Sequence, residues 1–242
     1  MVQNHSSSQR NIKLNLGTVL ATVAVVATGA AVVNWIIPNL IARQKPRSVS
    51  IPKGTRLTFD DGPSQVTEEV LDILKRENIR AAFFVVGEEA LARPEIIKRM
   101  AREGHEIGLH AHRHGIPLWP WQRWADLSHA YKTLDALNIA PRFYRAPHGI
   151  YDAAAIVFCM THGMTILHWH SLVNDWEPID DTQLLNKLMS AASQGKGRVI
   201  VLHDGCKGNA DYNAHLRIPR VLQRFIAAEK TRGARFQDAC SQ

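Results

Sequence analysis

Hydrophobic and polar positions change rhythm twice along the chain. From Leu14 to Ala42 no charged residue occurs, and Leu16 to Ile37 is almost wholly apolar or small. A helix of roughly 20 apolar residues crosses a bilayer, so 14–37 reads as a single transmembrane anchor, with Trp35 suited to the membrane interface. A cleaved signal peptide has a shorter apolar core, on the order of 7–15 residues. Gly29-Ala30-Ala31 supplies small residues for cleavage, but the apolar stretch runs well past them. A polar, Ser-rich tail (1–13) precedes the span and a linker rich in proline and basic residues (38–54) follows it, which argues against a buried core helix.

Beyond Lys53-Gly54, short apolar runs alternate with amphipathic stretches, marking a domain over 55–242. Strands are predicted at Arg56–Phe59, Ala81–Val86, His105–Leu109, Phe143-Tyr144, Met164–Trp169 and Val199–Leu202. Helices are predicted over Val66–Glu77, capped by Ser64 or Thr67, from Pro94 to Gly104, over Asp126–Leu137, from an Asp152 cap through His162, over Asp181–Ala192 and over His215–Lys230. This alternation implies right-handed β-α-β units and a mostly parallel sheet or barrel. Such folds carry their chemistry at the carboxyl ends of the strands.

Polar clusters fall at those ends: Asp60-Asp61, His110 with His112 and His114, Arg145 to Gly149, Asp175-Trp176, and His203-Asp204. Two adjacent acids at a strand end cannot both be buried unpaired, so a metal, an arginine or water must hold them. His110 and His114 are spaced to share one side of a helical turn. With one carboxylate they make a two-histidine, one-aspartate facial set suited to a divalent metal, which polarises a carbonyl and activates water. The other Asp is then a natural base and a histidine on another strand a natural acid. A carboxylate such as Asp175 would keep His203 protonated near neutral pH.

Composition adds limits. With 242 residues, 45% hydrophobic and 21% charged, the chain suits one well-buried domain with an appendage. The net charge of +7 favours anionic surfaces, but no nucleic-acid motif accompanies it and no nucleic-acid partner is expected. Cys159, Cys206 and Cys240 are too scattered for a disulfide framework. Arg10 and Lys13 before the span against Arg43, Lys45 and Arg47 after it lean slightly towards a cytoplasmic body.

Thr58-Phe59-Asp60-Asp61-Gly62-Pro63, His110-x-x-x-His114, Arg145-x-Pro147-x-Gly149, Asp175-Trp176 and Leu202-His203 occur in that order. Together they resemble the five motifs of the polysaccharide deacetylases, the NodB-homology group of carbohydrate esterases (family 4), over roughly Thr55 to Phe236. The resemblance implies an α/β fold, a distorted (β/α) barrel, and metal-dependent removal of N- or O-acetyl groups from a carbohydrate. It implies Asp61, His110 and His114 as ligands of a divalent metal, zinc first and cobalt or nickel as alternatives. Asp60 would be the base, tuned by Arg145, and His203, assisted by Asp175, would protonate the departing amine. Trp176 and Leu202 would line the pocket for the acetyl methyl group, and the backbone N–H of His148 would help hold the oxyanion.

Three positions depart from the family pattern. Ala111 stands where Ser or Thr is usual, His148 replaces Tyr, and Leu172 or Val173 lies where a further Asp is expected. None removes a residue given a chemical role; they bear on substrate preference. Trp119, Trp121 and Trp124 suit sugar stacking, core packing or membrane contact equally. The leading expectation is an anchored, extracytoplasmic deacetylase of an N-acetylglucosamine-containing glycan, since most anchored relatives work outside the cytoplasm despite the charge count here. The alternatives are a deacylase of a lipid-linked sugar at the membrane and a catalytically silent sugar-binding module. The sequence is silent on oligomeric state.

Overall fold

The computed structural model describes residues 16–43, 55–193, 198–205 and 214–236. The tail 1–13, most of the linker, Cys206, Cys240 and the last residues of the domain lie outside them. Strand β1 (Thr55–Asp60) is buried at every position, as a strand covered on both faces must be. Helix α3 (Gln65–Glu77) follows it. Both predicted cap residues serve that helix: Ser64 Oγ accepts from the Val66 N–H (3.0 Å), and Thr67 Oγ1 accepts from the Ser64 N–H (2.8 Å).

Strands β2 (Ala82–Val85), β3 (Glu106–Leu109), β4 (Phe143–Tyr144), β5 (Thr165–Ile166), β6 (Ser171–Leu172) and β7 (Arg198–His203) join β1 in one parallel sheet, in the order β5-β4-β3-β2-β1-β7-β6. The edge strands β5 and β6 are close in sequence, and residues 167–170 cross between them. The Leu167 N–H bonds to Tyr144 O and the His170 N–H to Val199 O (3.0 Å each). The sheet therefore curls into a distorted barrel whose seam is spanned by its own chain. The register pairs Asp60 with His203 on β7 and with Phe84 on β2, which brings the carboxyl ends to one rim.

Helices α4 (Gly87–Ala92), α5 (Pro94–Arg102), α6 (Pro120–Asp135), α7 (Ala153–Thr161), α8 (Asp181–Ser193) and α9 (Ile218–Thr231) clothe the sheet. Between them lies a single large core that includes Phe59, Phe83, Leu109, Leu134, Leu202 and Phe225. A small cluster inside the barrel holds Ala82, Phe84, Leu167 and Val199.

Several expectations change. The helix expected from Asp126 begins at Pro120, whose fixed φ suits a first turn. Asp126 instead turns its carboxylate to the N–H groups of His112 and Arg113 (3.0 Å each). The Met164–Trp169 strand is shorter, because the chain leaves the sheet to cross the seam, and α4 and β6 were not foreseen. Leu202 is corrected as well. Side chains alternate along a strand, so Leu202 joins Ile200 and Phe59 in the layer facing the helices, and Val201 shares the face of His203.

At the N-terminus, α1 (Leu16–Ala31) continues through a π-turn (Val32–Ile36) into α2 (Ile37–Arg43). Pro38 lacks the N–H that would close an α-turn and crowds the preceding carbonyls; the wider turn, closed by the Ile37 N–H on Val32 O, accommodates it. Val23–Ala42 is long and apolar enough to cross a membrane. The start of the expected linker is thus helical, and it is docked. Residues 23–31 are exposed, whereas Pro38 and Ala42 are buried at helical spacing.

Candidate active site

The rim is built on β1. Directly after it Asp61 turns into the left-handed region (φ 75°) and a cis Gly62-Pro63 peptide follows. Asp60 and Asp61 consequently leave the strand in different directions, which resolves the problem of two adjacent buried acids. Asp60 Oδ1 accepts from Arg145 Nη1 at 2.6 Å. The same nitrogen donates to Thr58 Oγ1 (2.9 Å), Arg145 Nε donates to Leu167 O (3.0 Å), and the guanidinium lies 4.0 Å over the Phe84 ring. Arg145 is wholly buried, and this cage offsets the cost of desolvating it.

Asp61 faces the other way. Its Oδ1 lies 3.3 Å from His110 Nε2 and 3.1 Å from His114 Nε2, and the three ligand atoms lie within 4.8 Å of one another. Burial opposes its charge, but the close approach of His110 and the positive charge of His203 outweigh it and hold the carboxyl at about 2. His110 Nδ1 is 2.8 Å from Arg145 O. A carbonyl only accepts, so Nδ1 carries a proton and Nε2 is the nitrogen turned towards Asp61. Burial lowers His114 to about 4, so it is neutral at pH 7. Asp61 Oδ1 is buried and completes no hydrogen bond. Lone pairs converging on a carboxylate at these distances repel unless a cation lies among them, so the residues fit a divalent metal.

Across β1, the His203 N–H donates to Asp175 Oδ2 and His203 Nδ1 to Asp175 Oδ1, both at 2.7 Å. Burial alone would push His203 down; the Asp175 carboxylate, with Asp61 and Asp60 beyond it, raises it to about 10. Trp176 meets the His203 ring edge-on at 5.1 Å. His148 is exposed, in the left-handed region (φ 56°), with its ring 4.5 Å from that of His114. Gly149 behind it is also left-handed (φ 64°), and Trp169 lies so close that a Cβ there would meet the ring at 2.3 Å.

The structure therefore brings together Asp60, Asp61, His110, His114, Arg145, His148, Asp175, Trp176 and His203, and leaves Leu202 outside. Of the tryptophans, Trp124 packs edge-on against Phe158, while Trp119 and Trp121 stack on each other in the open. Supporting residues were not read from the sequence: Thr58, the Leu167 carbonyl, Asp126, and Asp204. Asp204 is buried behind Gly62 and accepts from Thr67 Oγ1 at 2.6 Å. Burial raises its carboxyl to about 7. Thr58 opens the first quoted motif and Asp204 follows the last, which was the one available signal.

Comparison with known proteins agrees with this geometry. A sequence profile described as polysaccharide deacetylase matches residues 44–167. A chitooligosaccharide deacetylase of Sinorhizobium fredii is 33% identical over 201 residues, covering 79% of this chain and 92% of that protein. A peptidoglycan-N-acetylglucosamine deacetylase of Bacillus cereus is 32% identical over 185 residues, covering 74% of this chain and 64% of its own length. Among solved structures, the peptidoglycan deacetylase PdaC from Bacillus subtilis superposes with a TM-score of 0.64 at 25% identity, over 75% of this chain and 85% of that one. Sequence, barrel and rim agree, and the chain belongs to the polysaccharide deacetylase family, hydrolases of N-acetyl groups on carbohydrates.

Proposed function

We propose that this chain is a zinc-dependent deacetylase of an N-acetylglucosamine-containing glycan, held at a membrane by its N-terminal helix with the catalytic domain outside the cytoplasm. The observation that carries the reading is the Asp61, His110 and His114 cluster, flanked by an Arg145-held carboxylate on one side and an Asp175-held imidazole on the other. A metal bound by those three residues supplies positive charge to the acetyl carbonyl and to the attacking water.

The remaining work falls to the protein. Arg145 fixes Asp60 through one oxygen, so the other takes a proton from the water as it adds to the carbonyl carbon. The His148 N–H steadies the oxygen on which charge develops. Asp175 holds Nδ1 of His203, which presents Nε2–H to the sugar nitrogen. As the carbon–nitrogen bond breaks, that proton passes to the amine, leaving acetate and a free amino sugar. Trp176 forms an apolar wall beside His203.

The test is acetate release from chitooligosaccharides and peptidoglycan fragments by the full chain in detergent, after chelation and after return of zinc. Release that is lost with the metal and restored by zinc supports the reading. Release that persists without metal defeats it, and release only from a lipid-linked N-acetylated sugar replaces the glycan as substrate.

A further inference from the structure

We infer that Asn39, near the end of the N-terminal helix, is a positioning residue for the loop that carries His148, so that the helix is a working part of the site as well as its tether. The inference rests on the role proposed above for the His148 N–H. The side-chain amide of Asn39 grips the backbone of Tyr151 on both sides: Nδ2 donates to Tyr151 O at 2.7 Å, and Oδ1 accepts from the Tyr151 N–H at 3.1 Å. Nδ2 also reaches Trp35 O at 2.7 Å within the helix, which fixes the rotamer. Both hydrogen-bonding ends of the amide are used.

What is gripped explains why. Loop 147–151 contains two successive left-handed residues, His148 and Gly149, and the first is not a glycine. A side-chain-bearing residue holds that conformation only when its surroundings impose it. Among the described residues the loop is held on three sides: Trp169 packs over Gly149, the His114 ring meets that of His148, and Asn39 clamps Tyr151. The Tyr151 hydroxyl, 3.3 Å from His168 Nδ1, ties the clamped residue to the seam.

The helix is shaped for this contact. The π-turn at Val32–Ile36 precedes Pro38, and the buried positions Pro38 and Ala42 bracket Asn39 on the face turned to the domain. A polar amide at the end of an apolar helix would ordinarily be left to water. Here it finds the backbone of a catalytic loop.

The experiment uses the full chain in lipid nanodiscs, with Asn39→Leu and the milder Asn39→Ala beside the unsubstituted protein. Thr28→Val serves as the control, since Thr28 bonds only within the exposed part of the helix. In metal-free protein, hydrogen exchange at the Tyr151 amide should rise by roughly tenfold or more while the sheet amides keep their protection. With zinc returned, kcat on a chitooligosaccharide should fall by roughly tenfold with KM within about twofold, as misplacement of a group acting in the transition state requires. Unchanged Tyr151 exchange, or unchanged kcat in both variants, overturns the inference. An inactive unsubstituted chain defeats the reading of the site instead, and the exchange measurement still decides the clamp.

Discussion

Arg145 and Arg123 are both wholly buried, and each is paired with an aspartate: Arg145 with Asp60 at 2.6 Å, Arg123 with Asp152 at 2.9 Å. Their surroundings differ. Arg145 meets Thr58, Leu167 O and the Phe84 ring, and its aspartate is followed in sequence by Asp61, which faces the histidines. Arg123 joins α6 to α7, and Asp152 uses its other oxygen to cap α7 through the Ala155 N–H (2.8 Å). One pair holds the proposed base in place; the other holds two helices together. An ion pair alone does not mark a site. What marks it is the neighbouring cluster of Asp61, His110 and His114, which adjoins the Arg145 pair and has no counterpart beside Arg123 among the described residues.

The largest expected effect breaks the comparison on the catalytic side. Asp60→Asn should lower kcat by roughly 10³-fold, the scale of a lost general base, while the protein remains folded by circular dichroism. Asp152→Asn should leave kcat per folded molecule nearly unchanged. Equal losses in the two variants would remove the distinction.

The second effect is read in pH. His203 near 10 keeps its proton through the neutral range, so kcat should hold up to mildly alkaline pH and fall as pH approaches that value. Asp175→Asn removes the main group raising it, so the falling limb should move to lower pH. A limb that stays in place would exclude His203 as the acid.

Stability sharpens the comparison from the other side. Breaking a buried pair by removing one partner costs about 3–5 kcal/mol, so Asp152→Asn should lower the urea midpoint clearly. The smallest effect lies at the far end of the barrel, where burial lowers His105 to about 4 from 6.5 and its Nδ1 accepts from the Ala81 N–H at 3.1 Å. A histidine depressed on folding takes up protons more readily when unfolded. Its contribution, roughly 3 kcal/mol, is present above pH 6.5 and is lost as pH falls to 4. His105→Asn, which keeps an acceptor, should flatten the stability profile across that window.

The order of strands and helices and most of the rim were legible because they rest on local signals: apolar runs, caps, and the Asp-Asp and His-x-x-x-His spacings. The remainder depends on contacts distant in sequence. Arg123 and Asp152 carry no motif, and nothing local says that Asn39 meets Tyr151. Asp126 reads as the start of a helix that in fact begins at Pro120, and its carboxylate serves the histidine loop. Leu202 was misplaced by a single residue, which in a strand means the opposite face.

The register pairing Asp60 with His203 has a consequence for how such an enzyme can change. The two residues sit on neighbouring strands, so their Cα atoms are held about 4.8 Å apart by the backbone ladder. That spacing is a ruler which no side-chain substitution at either position can reset. Descendants of this chain can acquire new substrates by redrawing the loops above the rim, while the backbone spacing between the proposed proton acceptor and proton donor is inherited with the sheet.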